Sequence, residues 1–255
     1  MAAVIEMRDV YKTFQIPHEI HTTLVERVVS MFRPISYERL EALSGVTVSI
    51  EEGEFVGLIG RNGSGKSTLL KLMAGLLVPD RGICRIRGSM CELLELGLGF
   101  NPELTVRENV ALYASILGYP RSELDARIEG AIDFADLERF KDVKLKSLST
   151  GMHIRLGFAT AVQACADILL LDEILAVGDG EFQDKCIDTF REHKRLGKTI
   201  VLVSHDLAQV EHFCDRVILF DSGKIVDSGD PGAIISRYQD RLSGGKKGTG
   251  AGRQL

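Results

Sequence analysis

A glycine-rich loop holds the residues of this chain that are best suited to chemistry. It reads Gly60-Arg61-Asn62-Gly63-Ser64-Gly65-Lys66-Ser67 and fits the spacing G-x-x-x-x-G-K-S/T. In such a loop the glycines let backbone N–H groups converge on phosphate oxygens, the lysine neutralises the β- and γ-phosphates, and the serine hydroxyl binds magnesium. A chance glycine turn is the alternative. The sequence predicts that ATP and Mg²⁺ bind here, with contacts from Gly60, Asn62, Gly63, Ser64, Gly65, Lys66, Ser67 and Thr68.

Two carboxylates follow an apolar run later in the chain, in Ile168-Leu169-Leu170-Leu171-Asp172-Glu173. They stand at the carboxyl end of a predicted buried strand, where open α/β sheets bind their ligands. We expect Asp172 to hold magnesium, directly or through water, and Glu173 to act as the general base that polarises the attacking water. Acids that only mark a loop or a helix cap are the alternative, and the presence of the glycine loop favours the functional interpretation.

Two further polar segments have both a structural and a functional interpretation. In Leu148-Ser149-Thr150-Gly151-Met152, Ser149 and the N–H groups around Gly151 precede a predicted helix at 154–163. They form either a simple helix cap, which the segment alone favours, or an anion-binding helix start. His205 follows an apolar run, and its neutral imidazole can hydrogen-bond a γ-phosphate and sense its loss, although a lone histidine is more often structural.

The elements that position these residues alternate between strands and helices, as in a parallel α/β sheet. Phe55–Ile59 predicts a buried strand that leads into the glycine loop, and Thr68–Ala74 predicts the helix after it. The runs Ile168–Leu171 and Thr199–Val203 predict two more strands, separated by a helix at about 181–196. Shorter strand patterns lie at 4–10 and 46–50, and turn residues at 79–82.

The section at 106–163 is rich in helix formers and poor in strand patterns, so it predicts a mainly helical subdomain inserted into the sheet domain. The residues from 241 to 255 are predicted to be a flexible C-terminal tail.

Composition narrows the class of partner. With 255 residues, 45% of them hydrophobic, the chain can bury a substantial core. The net charge of -5 and pI near 5.7 give no basic field for nucleic acid or anionic lipid.

The cysteines and the apolar segments indicate the compartment. Five cysteines without a CxxC pair suit a reducing cytosol. The sequence holds no secretion signal and no apolar stretch near the ~18–20 residues that cross a bilayer. We expect any membrane role to be served from the cytosolic side through a partner.

Taken together and in this order, the glycine loop, LSTGM, LLLDE and VSHD resemble the nucleotide-binding subunit of an ABC transporter over roughly residues 1–240. The resemblance implies a P-loop NTPase of ABC type: an α/β protein whose RecA-like mixed sheet core carries an antiparallel β subdomain and an inserted helical subdomain at about 101–165. It also implies a head-to-tail homodimer, in which Ser149 and Gly151 of one subunit close over the ATP held by Lys66 of the other. That implication outweighs the helix-cap interpretation. Asp179 is implied to be an inter-subunit aspartate at the ATP site.

Within that superfamily, three stretches are similar to exporters of lipid-linked polysaccharide, such as O-antigen, galactan or teichoic acid: 93–104, 149–153 and 172–179. The implied protein hydrolyses ATP to ADP and phosphate at the cytoplasmic face of the cytoplasmic membrane. It powers export through a separate integral membrane permease. The alternatives are an ABC ATPase for a drug or a lipid, and a non-transport ABC ATPase. Asn101 stands where most ABC proteins have glutamine, and the resemblance implies that its amide contacts magnesium or water.

Three smaller expectations complete the resemblance. Phe14 is placed as the aromatic residue that stacks on adenine, with Tyr11 as its rival and a core residue as the alternative. Apolar residues on one face of 22–33 predict an amphipathic helix that faces the permease or lipid headgroups, or else packs on the protein's own core. The stretch 101–109 is the expected seat of a permease coupling helix, with Glu103 as its key residue or as a helix cap. The chain stops at Leu255, so we expect no carbohydrate-binding β-sandwich.

Overall fold

Two β-sheets organise the structure, a computed structural model that describes residues 2–17, 37–93, 99–116, 121–162, 166–172 and 180–244. The smaller sheet is antiparallel and has the order β2-β1-β4, where β1 is Ala3–Pro17, β2 is Tyr37–Glu51 and β4 is Arg81–Ile86. The larger sheet has the order β5-β6-β7-β3-β8-β9. Its strands are β3 (Phe55–Gly60), β5 (Met90–Leu93), β6 (Ile168–Asp172), β7 (Thr199–Val203), β8 (Arg216–Asp221) and β9 (Lys224–Gly229).

The larger sheet is mixed because β9 pairs antiparallel with β8 while the other neighbours pair in parallel. All residues of β3 and β7 are buried, as expected for strands covered on both faces. Phe55 and Ile59 of β3 face one hydrophobic core, whereas Val56 and Leu58 face the other. The predicted mixed sheet with an antiparallel β subdomain is therefore confirmed.

Seven helices are described, and they fall into two groups. The helices of the sheet domain are α1 (Lys66–Met73), α5 (Gly180–Arg195), α6 (Leu207–Phe213) and α7 (Pro231–Gly244). The inserted helices are α2 (Val106–Ile116), α3 (Arg121–Phe134) and α4 (Thr150–Val162), and they share a small core of their own. These three helices lie within the section at 106–163 that the sequence predicts to be mainly helical. Within the described residues, no helix combines the length and the apolar character needed to cross a membrane.

Element boundaries differ from the sequence predictions where tertiary pairing extends or redirects the chain. β1 continues past the predicted end at Val10 because it pairs with β2 as far as Pro17 and Tyr37. The last two residues of the predicted turn at 79–82 belong to a strand instead, since β4 begins at Arg81. α7 runs to Gly244, beyond the position at which the sequence places the start of the tail.

Helix α4 joins the two parts of the molecule through opposite faces. Leu156 and Ala159 pack in the helical core, while Phe158 packs in the core of the sheet domain. The Phe158 ring lies 5.9 Å from that of Phe134 in α3 and 5.8 Å from that of Phe182 in α5, measured between centroids. Such aromatic contacts bury large apolar areas and fix ring orientation. Phe158 is thus the centre of the connection between the helical insertion and the sheet.

We expect Phe158→Ala to lower the free energy of unfolding by about 3–5 kcal/mol, because it leaves a cavity between the rings of Phe134, Phe182 and Phe190. Phe140→Ala is the matched control in the same insertion: its side chain is 37% exposed, so we expect about 1 kcal/mol or less. Denaturant unfolding without nucleotide measures both values. Equal effects of the two substitutions would contradict this account of how the insertion is attached.

Candidate nucleotide site

The glycine loop connects the end of β3 to the start of α1 and lies directly against two other strands. At Gly60, which has a φ of 151°, an added Cβ would stand 2.0 Å from the carbonyl oxygen of Phe220 in β8. At Gly65, with a φ of 109°, an added Cβ would stand 2.6 Å from the carbonyl oxygen of Ala42 in β2. No side chain fits at either place. The glycines therefore serve close backbone approach, as the motif predicts.

The start of α1 offers backbone donors to an anion. Its N-cap residue is Gly65, and no side chain caps the helix there. The N–H groups of Lys66, Ser67 and Thr68 precede the bond from Leu69 N to Gly65 O, which is 2.9 Å long. These N–H groups and the positive end of the helix dipole favour a negatively charged ligand. The residues present thus fit the phosphates of ATP.

Lys66 is held at the centre of the loop. Its side chain is buried, and Nζ donates hydrogen bonds to the carbonyl oxygens of Gly60 (2.8 Å) and Arg61 (3.0 Å). The backbone N–H of Ser64 donates to Arg61 O at 3.1 Å, which closes the turn around the ammonium group. The loop itself orients the lysine that the sequence predicts to neutralise phosphate.

A cavity of about 410 Å³ lies over the loop and brings distant predicted residues together. Phe14 and His205 both line it, so the structure places them beside the loop as the sequence predicted. Tyr11, the rival aromatic residue, is not among the lining residues, and its hydroxyl hydrogen-bonds Asp9. Gly60 and Ser64 are buried within the loop and are not among the described lining residues. The described lining residues are Phe14, Leu40, Glu41, Ala42, Asn62, Gly63, Gly65, Lys66, Ser67, Thr68 and His205.

Asp172 ends β6 and His205 follows β7, and these two strands are parallel neighbours in the sheet. In the strand register Asp172 of β6 is level with Val203 of β7, which is level with Leu58 of β3. The carboxyl ends of these three strands therefore meet beside the loop. Among the described residues there is no cluster of three or more His, Cys, Asp and Glu side chains that could hold a metal. A magnesium ion bound by one hydroxyl, one carboxylate, phosphates and water needs no such cluster, so Ser67 and Asp172 fit it.

The backbone around His205 is fixed by its neighbours, a feature that the sequence reasoning missed. Asp206 Oδ1 accepts hydrogen bonds from the N–H groups of Ala208 (3.0 Å) and Gln209 (3.2 Å), so Asp206 is the N-cap of α6. The buried Ser204 Oγ accepts from Asp206 N at 3.0 Å. The sequence signal was available, because an aspartate that directly precedes a helical stretch is a typical N-cap.

Asn101, the predicted metal ligand, lies in the turn before α2 and is not among the described residues that line the cavity. Its Oδ1 accepts from the N–H of Glu103 at 2.9 Å. The fully buried Asn109 holds the turn from below: its Oδ1 accepts from Asn101 N at 2.7 Å, and its Nδ2 donates to Asn101 O at 3.0 Å. Contact between Asn101 and magnesium stays a prediction. Burial of a polar residue such as Asn109 has no signature in sequence periodicity.

Glu103 does not cap α2, so that alternative is wrong. Thr105 and Glu108 form the cap: Glu108 N donates to Thr105 Oγ1 (3.2 Å) and Thr105 N donates to Glu108 Oε2 (2.8 Å). Glu103 instead accepts hydrogen bonds from Lys146 (2.8 Å) and Lys144 (3.1 Å), which lower the pKa of its carboxyl group. The contact of this exposed cluster with a coupling helix stays a prediction.

Ser149 and Gly151 lie away from the chain's own loop. Ser149 Oγ accepts from Met152 N at 3.3 Å, so the helix cap at the start of α4 is present. Both residues are exposed, and neither is among the described residues that line the cavity. Their role at the ATP site of another subunit stays a prediction. Glu173, Asp179 and the predicted amphipathic helix at 22–33 lie outside the described residues.

Comparison with known proteins gives a consistent set of similarities. A family described as ABC transporter matches residues 43–176. The O-antigen export system ATP-binding protein RfbB of Klebsiella pneumoniae is 40% identical over 246 residues, which are 95% of this chain and 100% of that protein. The teichoic acids export ATP-binding protein TagH of Bacillus anthracis is 40% identical over 211 residues, 83% of this chain but 38% of that protein.

The fold is also found among solved structures. The dimeric structure of a post-hydrolysis state of an ATP-binding cassette bound to ADP and Pi superposes with a TM-score of 0.71 at 26% identity. The superposition covers 89% of this chain and 98% of that one.

We expect Lys66→Ala to weaken ATP binding about 100-fold or more, because it removes charge-assisted hydrogen bonds to phosphate. Lys71→Ala is the matched control, since Lys71 is exposed on the same helix α1 and does not line the cavity. Calorimetric titration with ATP gives both affinities, and thermal unfolding without nucleotide confirms that each variant is folded. A folded Lys66→Ala protein with unchanged affinity would contradict the site.

Proposed function

This chain is an ATPase of the ABC transporter family, and we propose that it powers export of a lipid-linked polysaccharide across the cytoplasmic membrane through a separate integral membrane permease. The ATPase part rests on the cavity that joins Phe14, the glycine loop and His205. The transported substrate rests on similarity to relatives named for O-antigen and teichoic acid export, one of which this chain matches over its full length.

In the proposed bound state, the triphosphate lies along the loop and the start of α1. The N–H groups of Lys66, Ser67 and Thr68 donate to phosphate oxygens, and the Lys66 ammonium exchanges carbonyl partners for charged ones. The base lies toward the antiparallel sheet, where the Phe14 ring offers a face for stacking. Support for Phe14 over Tyr11 comes from its place in the cavity wall.

Ser67 and Asp172 are the proposed magnesium ligands, and the bound ion neutralises negative charge on the phosphate oxygens. Glu173 accepts a proton from water as the water oxygen attacks the γ-phosphorus. The bond between the γ-phosphorus and the bridging oxygen breaks, and the products are ADP and phosphate. His205 hydrogen-bonds the γ-phosphate, and the fixed backbone between Ser204 and Asp206 keeps its position constant.

The ATP site is completed by a second copy of the chain. Ser149 and Gly151 are exposed at the start of α4 and separate from the chain's own cavity, which supports their action on the ATP of a partner subunit. Asp179 is proposed to act between subunits at the same site. A similar ATP-binding cassette forms a dimer with bound ADP and Pi. Binding of ATP then favours the closed dimer, and hydrolysis followed by release reopens it.

The permease is proposed to dock where the turn at 101–105 meets the helical insertion. Glu103, Lys144 and Lys146 form an exposed charged cluster there, and the buried Asn109 makes the turn rigid. The segment 22–33 is a second proposed contact, with the permease or with lipid headgroups.

We expect Glu173→Gln to retain ATP binding but to lower ATPase activity at least about 100-fold, because glutamine cannot accept the proton. Analytical ultracentrifugation with ATP should then detect an accumulated dimer. Glu181→Gln is the control, an exposed glutamate in the first turn of α5. Near wild-type hydrolysis by Glu173→Gln would show that Glu173 is not the base.

The transport proposal predicts two results in the native cell. A polytopic permease should co-purify with the tagged protein from membranes. Lys66→Ala should cause a lipid-linked glycan to accumulate, because export stops while synthesis continues, and Lys71→Ala should not. Mass spectrometry of extracted lipids measures the accumulation. If a drug or another lipid accumulates instead, the polysaccharide assignment is wrong although the ATPase assignment survives.

A further inference from the structure

A second cavity, of about 510 Å³, borders the glycine loop through the side chain of Arg61. Its other walls are the end of β8 and the last turns of α7, and nothing in the proposed ATP chemistry uses it. The residues that matter for the argument are Arg61, Phe220, Asp221, Tyr238, Arg241 and Leu242. We call this set the α7 patch.

The α7 patch holds two arginines without a charged partner in the described structure. Among the described residues, neither Arg61 nor Arg241 forms an ion pair. The carboxylate of Asp227, whose pKa Arg241 helps to lower, already pairs with Arg237. A guanidinium group presents a fork of donors that suits a carboxylate. Asp221, the carboxylate of the patch, forms no ion pair with either arginine among the described residues.

The same patch carries a carboxylate and exposed apolar surface. Burial raises the pKa of Tyr238, Arg61 lowers it and Asp221 raises it, so both charges act on one phenol group. Leu242 follows Arg241 on α7 and is 43% exposed. A simple anion would meet the negative charge of Asp221 on the cavity wall. A ligand for this patch must bring positive, negative and apolar groups together.

A surface that carries both charge signs and an exposed apolar side chain can be complementary to a second copy of itself, which is the requirement of a two-fold interface. We infer that the α7 patch docks against the α7 patch of a second copy of this chain, with Arg61 and Arg241 of each subunit facing Asp221 of the other. The inference rests on the proposed dimer, in which Ser149 and Gly151 of the partner subunit approach the loop that contains Arg61. It adds a second contact to that dimer, outside the ATP site.

Docking at the α7 patch is coupled to the nucleotide site through the backbone of Arg61. The carbonyl oxygen of Arg61 accepts hydrogen bonds from Lys66 Nζ (3.0 Å) and from Ser64 N (3.1 Å). When the partner's carboxylate fixes the Arg61 side chain, it also restrains the residue that orients Lys66. Dimer contact and phosphate binding thus stabilise the same loop conformation, and each favours the other.

Two charge reversals test the pairing, each made in the Glu173→Gln background that retains ATP. Asp221→Arg leaves three cations in the patch, and Arg241→Asp leaves one cation with two anions. We expect each variant alone to raise the ATP-dependent dimer dissociation constant about tenfold or more, because like charges then face each other. An equimolar mixture should regain nearly wild-type dimerisation as a heterodimer. Sedimentation velocity measures all three samples.

Asp240→Arg is the matched control, since it makes the same charge change on an exposed position of α7 outside the cavity lining. Its dissociation constant should not change. Arg241→Gln is the milder variant if a reversal fails to fold, and we expect about a threefold weaker dimer or more because the carboxylate loses its charged partner. ATP affinity of the monomers and thermal unfolding report folding independently.

Wild-type behaviour of both single reversals would overturn the inference, as would a mixture that fails to recover. If the Glu173→Gln protein with an unchanged α7 patch still dimerises with ATP when either of these results is found, the proposed function stands and only the α7 contact is wrong. If no ATP-dependent dimer forms in any sample, the proposed dimer itself fails, and the α7 contact fails with it.

Discussion

A three-way backbone junction holds the ATP site together. The N–H of Ser44 in β2 donates to Gly223 O at 2.9 Å, and the N–H of Gly223 donates to Ser64 O in the glycine loop at 2.8 Å. An added Cβ at Gly223 would stand 2.9 Å from Ala42 O, so the turn between β8 and β9 touches β2 directly. The junction ties the antiparallel sheet, the central sheet and the loop into one unit. Together with the hydrophobic core that the two sheets share, it fixes the antiparallel sheet that carries Phe14 relative to Lys66.

Ser149 and Gly151, which are proposed to face a partner subunit, depend for their position on a second connection. Ser149 and Gly151 belong to the start of α4, and α4 is attached to the sheet domain by Phe158. Two contacts of charged side chains support the same attachment: Lys185 of α5 pairs with Asp136 at 2.6 Å, and the Arg155 guanidinium lies 5.2 Å from the centroid of the buried Phe182 ring. The partly exposed ion pair contributes little stability by itself, but both contacts restrict how the insertion can rotate. The direction in which α4 presents its first turn to a second subunit is thereby limited.

These two connections suggest how ATP binding and hydrolysis are coupled to movement in this member of the ABC transporter family. In the proposed dimer, one half of the ATP site is the loop with Phe14, which backbone contacts hold. The other proposed half, at the start of α4, belongs to an insertion that is joined to the sheet domain through side chains. We expect the presence or loss of a γ-phosphate between these halves to change the position of the insertion, the part next to the proposed permease contact.

The sequence alone determined the elements and residues whose signals are local. The glycine loop, the buried strands around it, the helices within 106–163 and the acid at the end of β6 were predicted, because motif spacing and apolar periodicity act over a few neighbouring residues. The helix cap that Ser149 forms at the start of α4 could also be predicted, since a serine before a helical stretch accepts hydrogen bonds from nearby N–H groups.

Tertiary structure decided what depends on pairing between distant segments. The ring that lines the cavity is Phe14 and not Tyr11, and β1 has register shifts against β2 between Met7 and Thr13. Each such bulge changes the face to which later side chains point, and local sequence does not record it. The buried amide of Asn109 and the α7 patch are likewise products of packing. Arg61 and Arg241 are 180 positions apart in the sequence, and only the folded chain brings them to one surface.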